Sequence, residues 1–115
     1  MDNKNFALLA AKVLDNKKAE DIVVIDIAAK SSFADYLVIA SGNSERQVNT
    51  LVDEIEDQFA KEGLLVKSIE GKQNSGWVLM DFGDIIVNVF TRETREKYNI
   101  EKVWGDCIFL DLEEQ

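Results

Sequence analysis

At 115 residues, with 46% apolar and 30% charged residues, the chain has the make-up of one soluble globular domain, large enough to bury a core without covalent staples. The absence of histidine excludes Ser-His-Asp and Cys-His catalysis and removes the commonest metal ligand, while the lone Cys107 excludes an internal disulfide and fits a reducing compartment. Thirteen basic against 22 acidic residues, a net charge of −9, oppose direct nucleic-acid binding and favour attraction to basic partners.

Residues 3–17 carry Phe6, Leu9, Ala10, Val13 and Leu14 at the spacing of an amphipathic helix, with Lys17 and Lys18 suited to its C-terminal end. This stretch has neither a signal-peptide nor a transit-peptide architecture, and no apolar run approaches the length of a bilayer span. Residues 21–28, centred on IVVI, read as a short strand covered on both faces. Lys30, Ser31, Ser32, Phe33 and Ala34 break the pattern, and residues 35–41 form a second apolar strand that ends at Ser41-Gly42-Asn43. Ser44 and Gln47 then form a capping box for a helix running to about Glu62. Its apolar stripe is Val48, Leu51, Val52, Ile55 and Phe59, and Gly63 follows it. Residues 64–70 read as a third strand.

The next stretch organises the rest. Two apolar runs, residues 77–82 and 85–90, flank Gly83-Asp84. A glycine at the first central position suits a type II′ turn, and a two-residue loop fixes the register. Phe82 then lies opposite Ile85, Met80 opposite Val87 and Val78 opposite Val89, on a wholly apolar face that must be core. The second face carries Trp77, Leu79, Asp81, Ile86, Asn88 and Phe90, and is either covered by a helix or offered to a partner. Thr91 is placed to cap a short helix over residues 92–98, Asn99 to end it, and residues 100–104 to form another turn or two. Residues 105–115 are a short acidic tail whose Ile108, Phe109, Leu110 and Leu112 predict partial docking. The result is one α/β domain over residues 1–115, a mixed sheet of about five strands with helices on both faces.

Two chemistries compete with plainer readings of the same residues. Asp81 and Asp84 are spaced to share one Mg²⁺, but aspartates at turns are favoured for hydrogen bonds to the backbone. Gly42-Asn43-Ser44, between a strand and a helix, is similar to the phosphate-cradling turn of nucleotidyltransferases. The strand-borne carboxylate pair such enzymes need is absent, and a helix cap explains Ser44. Trp77, beside the polar loop formed by Lys72, Gln73, Asn74, Ser75 and Gly76, is a binding anchor or a core residue. Tyr98 and Trp104 pose the same choice.

Four segments carry a family resemblance. They are DIAAKSSFADY leading into LVIASGNS, Glu70-Gly71, WVLMDFGDIIVNVF, and REKY followed by IEKVW. They span about residues 21–107 and resemble the Iojap family of ribosomal silencing factors. Members typically have His where this chain has Asn88. The resemblance implies a nucleotidyltransferase-like core without catalytic carboxylates, no enzymatic activity and no cofactor. It implies docking on the fourteenth large-subunit ribosomal protein, a block on joining of the small subunit, repression of translation when nutrients are scarce, and a homodimer when free. On this chain the implied contacts are Trp77 and Phe90 as anchors, Asp81 as a charge partner, and Arg95 with Tyr98 at the edge. A large-subunit assembly factor and a metal-dependent nucleotidyltransferase stand as alternatives. A bacterial cytoplasm is the expected setting.

Overall fold

The structure is a computed structural model that describes residues 1–71 and 75–112. Lys72, Gln73 and Asn74 of the expected polar loop, and Glu113, Glu114 and Gln115 of the acidic tail, lie outside the described residues. The elements in chain order are α1 (Asn3–Asn16), β1 (Glu20–Asp26), β2 (Tyr36–Gly42), α2 (Glu45–Lys61), β3 (Ser68–Glu70), β4 (Trp77–Asp81), β5 (Ile85–Thr91), α3 (Arg92–Tyr98), a 3-10 helix (Ile100–Trp104) and β6 (Ile108–Phe109). The sheet order is β3-β4-β5-β2-β1-β6. Among the described residues β2 and β5 run parallel, and the other four pairings are antiparallel.

The hairpin has the register its two-residue loop dictates. Val78 pairs with Val89 and Met80 with Val87, while the Phe82 N–H donates to the Ile85 carbonyl at 3.0 Å. Gly83 sits at φ +94° and Asp84 keeps a negative φ, the pattern of a type II′ turn. The apolar hairpin face is buried against α1 and α2. Phe59 of α2 meets Phe6 of α1 at 5.2 Å and Phe82 of the hairpin at 4.5 Å, so three elements share one aromatic column. The five stripe residues of α2 are the five that it buries. A second, smaller apolar layer lies on the other side of the sheet. It joins Ile25, Leu37, Ile39, Ile86 and Phe90 to Ile100 and Trp104 of the 3-10 helix.

The expected mixed sheet is present, and among the described residues it has six strands: the tail adds Ile108–Phe109 to the open edge of β1, and the Leu110 N–H donates to the Val24 carbonyl at 2.8 Å. Some finer expectations are corrected. The third strand is only Ser68–Glu70. Ahead of it Leu64 and Val66 fold back onto the core and Leu65 is 73% exposed, so this segment leaves the helix as a packed coil. In β1 the centre is covered on both faces, but Ile22 and Val23 at its start stay partly exposed. The capping box is not reciprocal. The Gln47 N–H donates to Ser44 Oγ at 3.1 Å, but Gln47 Oε1 takes the Asn43 N–H at 2.6 Å, and its amide nitrogen reaches the Lys18 carbonyl at 3.2 Å. Gln47 thereby ties the end of α1 to the start of α2. Thr91 precedes α3 as expected, yet its hydroxyl pairs with that of Thr94 and not with a backbone N–H.

Candidate functional site

The second face of the hairpin is covered over most of its area and open at one end. Phe90 (0%), Asn88 (1%) and Ile86 are buried, whereas Trp77, Leu79 and Asp81 of β4 are partly exposed. The cover is α3 and the 3-10 helix. Tyr98, the last residue of α3, lies over the start of β4 and is 51% exposed.

Trp77 is the centre of this end. Its ring stacks on Phe90, with centroids 5.0 Å apart and planes at 29°, and meets Tyr98 at 5.1 Å. Its indole N–H donates to Asn88 Oδ1 at 2.9 Å. The backbone before it is also held, since the Gly76 N–H donates to Glu45 Oε1 at 3.1 Å and the Gly76 carbonyl accepts from the Thr91 N–H at 2.8 Å. An amphipathic aromatic ring is thus fixed from below, from one side and through its backbone, with an edge left open.

α3 is pinned by Arg95. Its guanidinium forms two bonds to the Glu101 carboxylate, at 3.1 and 3.0 Å, and a third to Ser41 Oγ at 2.9 Å. Arg95, expected at the contact edge, is interior at 9% exposure. Phe90 is likewise a floor under Trp77 and not an exposed anchor. Asp81 is partly exposed, with one carboxylate oxygen accepting from the Gly83 N–H at 2.7 Å, as a turn aspartate does. Of the five residues the resemblance nominates, Trp77 and Tyr98 meet at the surface, Asp81 lies along the same strand, and Phe90 and Arg95 support them from inside.

Two further exposed apolar residues, Phe33 and Val103, have no role in the sequence pattern. Phe33 packs edge-on against Trp104 at 6.1 Å, and both Phe33 and Val103 are largely exposed. Lys30 ties this turn to the 3-10 helix by donating to the Val103 carbonyl at 3.1 Å and to Asp106 Oδ1 at 2.8 Å. The bond to Asp106 raises the Lys30 pKa and holds the Asp106 carboxyl below its ordinary value. Phe33 falls in a break between strands, where no periodicity announces a surface.

The aspartates and Ser44 are engaged in holding the fold together. Asp84 and Asp35 both accept from the Asn3 side-chain amide, at 3.2 and 3.0 Å, and Ser44 caps α2. Among the described residues, no group of three or more Asp, Glu or Cys is arranged to hold a metal ion, and no helix is long and apolar enough to cross a membrane.

Comparison with known proteins agrees with this architecture. The family model for "Ribosomal silencing factor during starvation" matches residues 1–115. The ribosomal silencing factor RsfS of Bacillus subtilis is 43% identical over 113 residues, which cover 98% of this chain and 96% of that protein. The protein of the same name from Halalkalibacterium halodurans is 39% identical over 98% of this chain and 97% of its own length. A crystal structure of a protein from Chromobacterium violaceum superposes with a TM-score of 0.88 at 31% identity, covering 91% of this chain and 88% of that one. With the full length matched, this chain belongs to the ribosomal silencing factor family.

Proposed function

We propose that this protein binds the large ribosomal subunit, blocks joining of the small subunit and so represses translation under nutrient limitation. It does so by occupying space, without catalysing a reaction. The observation that carries this reading is the Trp77–Tyr98 pair, an aromatic surface held rigidly at the open end of an otherwise covered sheet face. Rigid aromatics with one packed side and one open side are the residues that dominate protein interfaces. The docking partner in this reading is the fourteenth large-subunit ribosomal protein. A net charge of −9 steers the domain toward a basic protein and away from bare RNA. Asp81, on the same strand as Trp77, supplies a charge at the rim. When free, the protein pairs with a second copy.

Sedimentation of the purified protein with separated ribosomal subunits tests the proposal. The expected result is migration with the large subunit alone, loss of the joined-ribosome peak, and reversal of both by Trp77→Ala combined with Tyr98→Ala. Undiminished joining in the presence of bound protein would overturn the steric mechanism.

A further inference from the structure

Asn88 presents a problem that the fold alone does not explain. It lies mid-way along β5, a strand buried along its whole length, flanked on its own face by Ile86 and Phe90 and paired with Leu79. At 1% exposure, its amide is set into an apolar layer, where an unpaired polar group is costly and an aliphatic residue of similar size would pack. Its oxygen is used by one indole. Trp77 pairs with Phe90 across the hairpin, so Asn88 is its diagonal neighbour, within reach of a long aromatic side chain. The indole N–H is a donor only, so the amide oxygen and not the amide nitrogen faces it, at 2.9 Å.

We propose that Asn88 is a positioning residue for docking: its side-chain oxygen sets the in-plane orientation of the Trp77 ring that the partner meets. This rests on the reading of Trp77 as a docking anchor. The reason is geometric. Stacking on Phe90 and contact with Tyr98 fix the plane of the indole, but stacked rings slide and turn at little cost. The N–H···O bond is directional and removes that remaining freedom. Of the contacts on the ring, it is the one that decides which edge points outward. A partner then meets a ring already ordered, and the side-chain ordering that association normally requires is complete before the encounter.

The experiment uses the full chain with Asn88→Leu, Asn88→His and Trp77→Ala. Two readouts are taken: co-sedimentation with purified large subunits, and the NMR shift of the Trp77 indole proton, assigned with Trp104→Phe. Asn88→Leu should move the indole proton upfield, as a lost hydrogen bond does, and weaken binding up to about tenfold, the scale of ordering one side chain only on association. Asn88→His should restore binding only while the imidazole is neutral and able to accept. Its binding should fall as pH drops from about 8 to about 6, through the ordinary imidazole value of about 6.5, while the wild-type amide gives no such dependence. Urea unfolding of Asn88→His across the same pH range is the control: a merely structural role would make binding fall only in step with stability, whereas a positioning role lowers binding of protein that is still folded. If Asn88→Leu shifts the indole proton yet binds as the wild type does while Trp77→Ala does not, the positioning role is wrong. If Trp77→Ala itself binds normally, the reading of Trp77 as an anchor fails, and the proposal with it.

Discussion

Arg95 and Glu101 form a two-pronged ion pair inside the cover of the second sheet face, with Nε to Oε1 at 3.1 Å and Nη2 to Oε2 at 3.0 Å. Their side chains are 10% and 25% exposed, so each charge depends on the other for much of its solvation. The pair joins α3 to the 3-10 helix, and the bond from Arg95 to Ser41 joins both to the end of β2. The cover of the second sheet face is held in place by this node.

The first prediction follows from that dependence. Glu101→Ala leaves a largely buried guanidinium without its carboxylate and should cost about 3 kcal/mol in urea unfolding. Replacing both residues with apolar ones of similar volume should cost less than Glu101→Ala alone, because no charge is then stranded. A double-mutant cycle on Arg95 and Glu101 measures the coupling. Coupling near zero would mean the pair is solvated in practice and does not hold α3.

Tyr98 separates stability from binding. It is half exposed and touches Trp77 along one face, so Tyr98→Ala should destabilise the fold by only about 1 kcal/mol, the scale of one aromatic contact. Under the proposed docking through the Trp77–Tyr98 pair, its loss should cost about 2 kcal/mol of affinity for the large subunit, roughly thirtyfold. Urea titration and sedimentation binding on the same preparation check the two numbers. Equal losses in both would make Tyr98 a structural residue.

Gly71 and Gly83 have similar backbone angles, at φ +83° and +94°, but different surroundings. A Cβ at Gly83 would meet the far end of the flexible Lys67 side chain at 3.0 Å, which can move aside. A Cβ at Gly71 would overlap the backbone carbonyl oxygen of Trp77, which cannot move without shifting β4. Gly83→Ala should therefore cost about 1–2 kcal/mol, the penalty of a left-handed conformation. Gly71→Ala should cost about 3 kcal/mol or more and disturb the Trp77 fluorescence. Thermal melts of the two variants, run side by side, test the ranking.

What the sequence disclosed depended on whether the cause was local. The hairpin register follows from Gly83-Asp84 and a period of two, and the α2 stripe from a period of 3.6, so both are readable from neighbours along the chain. Phe90 shows the limit. Alternation assigns it to the second face, but whether that face is open depends on α3 folding back over it, a tertiary event that no pattern within residues 77–90 encodes. Arg95 carries the same lesson from the other side. A charged residue on a short helix reads as surface until its carboxylate, six residues on, and Ser41, 54 residues back, are seen to converge on it. β6 is two residues long and exists because β1 leaves an edge unpaired, which gives it no periodicity of its own. The Asn88–Trp77 bond was implicit in the register as a diagonal pair, but only geometry turns adjacency into a hydrogen bond.

Lys30 and Asp106 give a prediction in pH. Their contact lowers the Asp106 pKa below the ordinary 3.8 and raises that of Lys30 above 10.5. For the carboxyl, the folded value lies below the unfolded one, so its contribution is present above the unfolded value and is lost as pH falls through the folded value. For the amine the order is reversed: its contribution is complete below 10.5 and is lost as pH rises through the higher folded value. Between these limits the pair should impose no pH dependence, and the clamp on Val103 and Trp104 should be constant near neutrality. Both groups are solvent-exposed, so salt should weaken the effect. An NMR titration of Asp106 in wild type and Lys30→Met checks this. The carboxyl should titrate at higher pH in the variant, and the Trp104 ring signals should follow it in the wild type alone. If the Asp106 midpoint is the same in both proteins, the turn carrying Phe33 is held by its ring contact with Trp104 and not by charge.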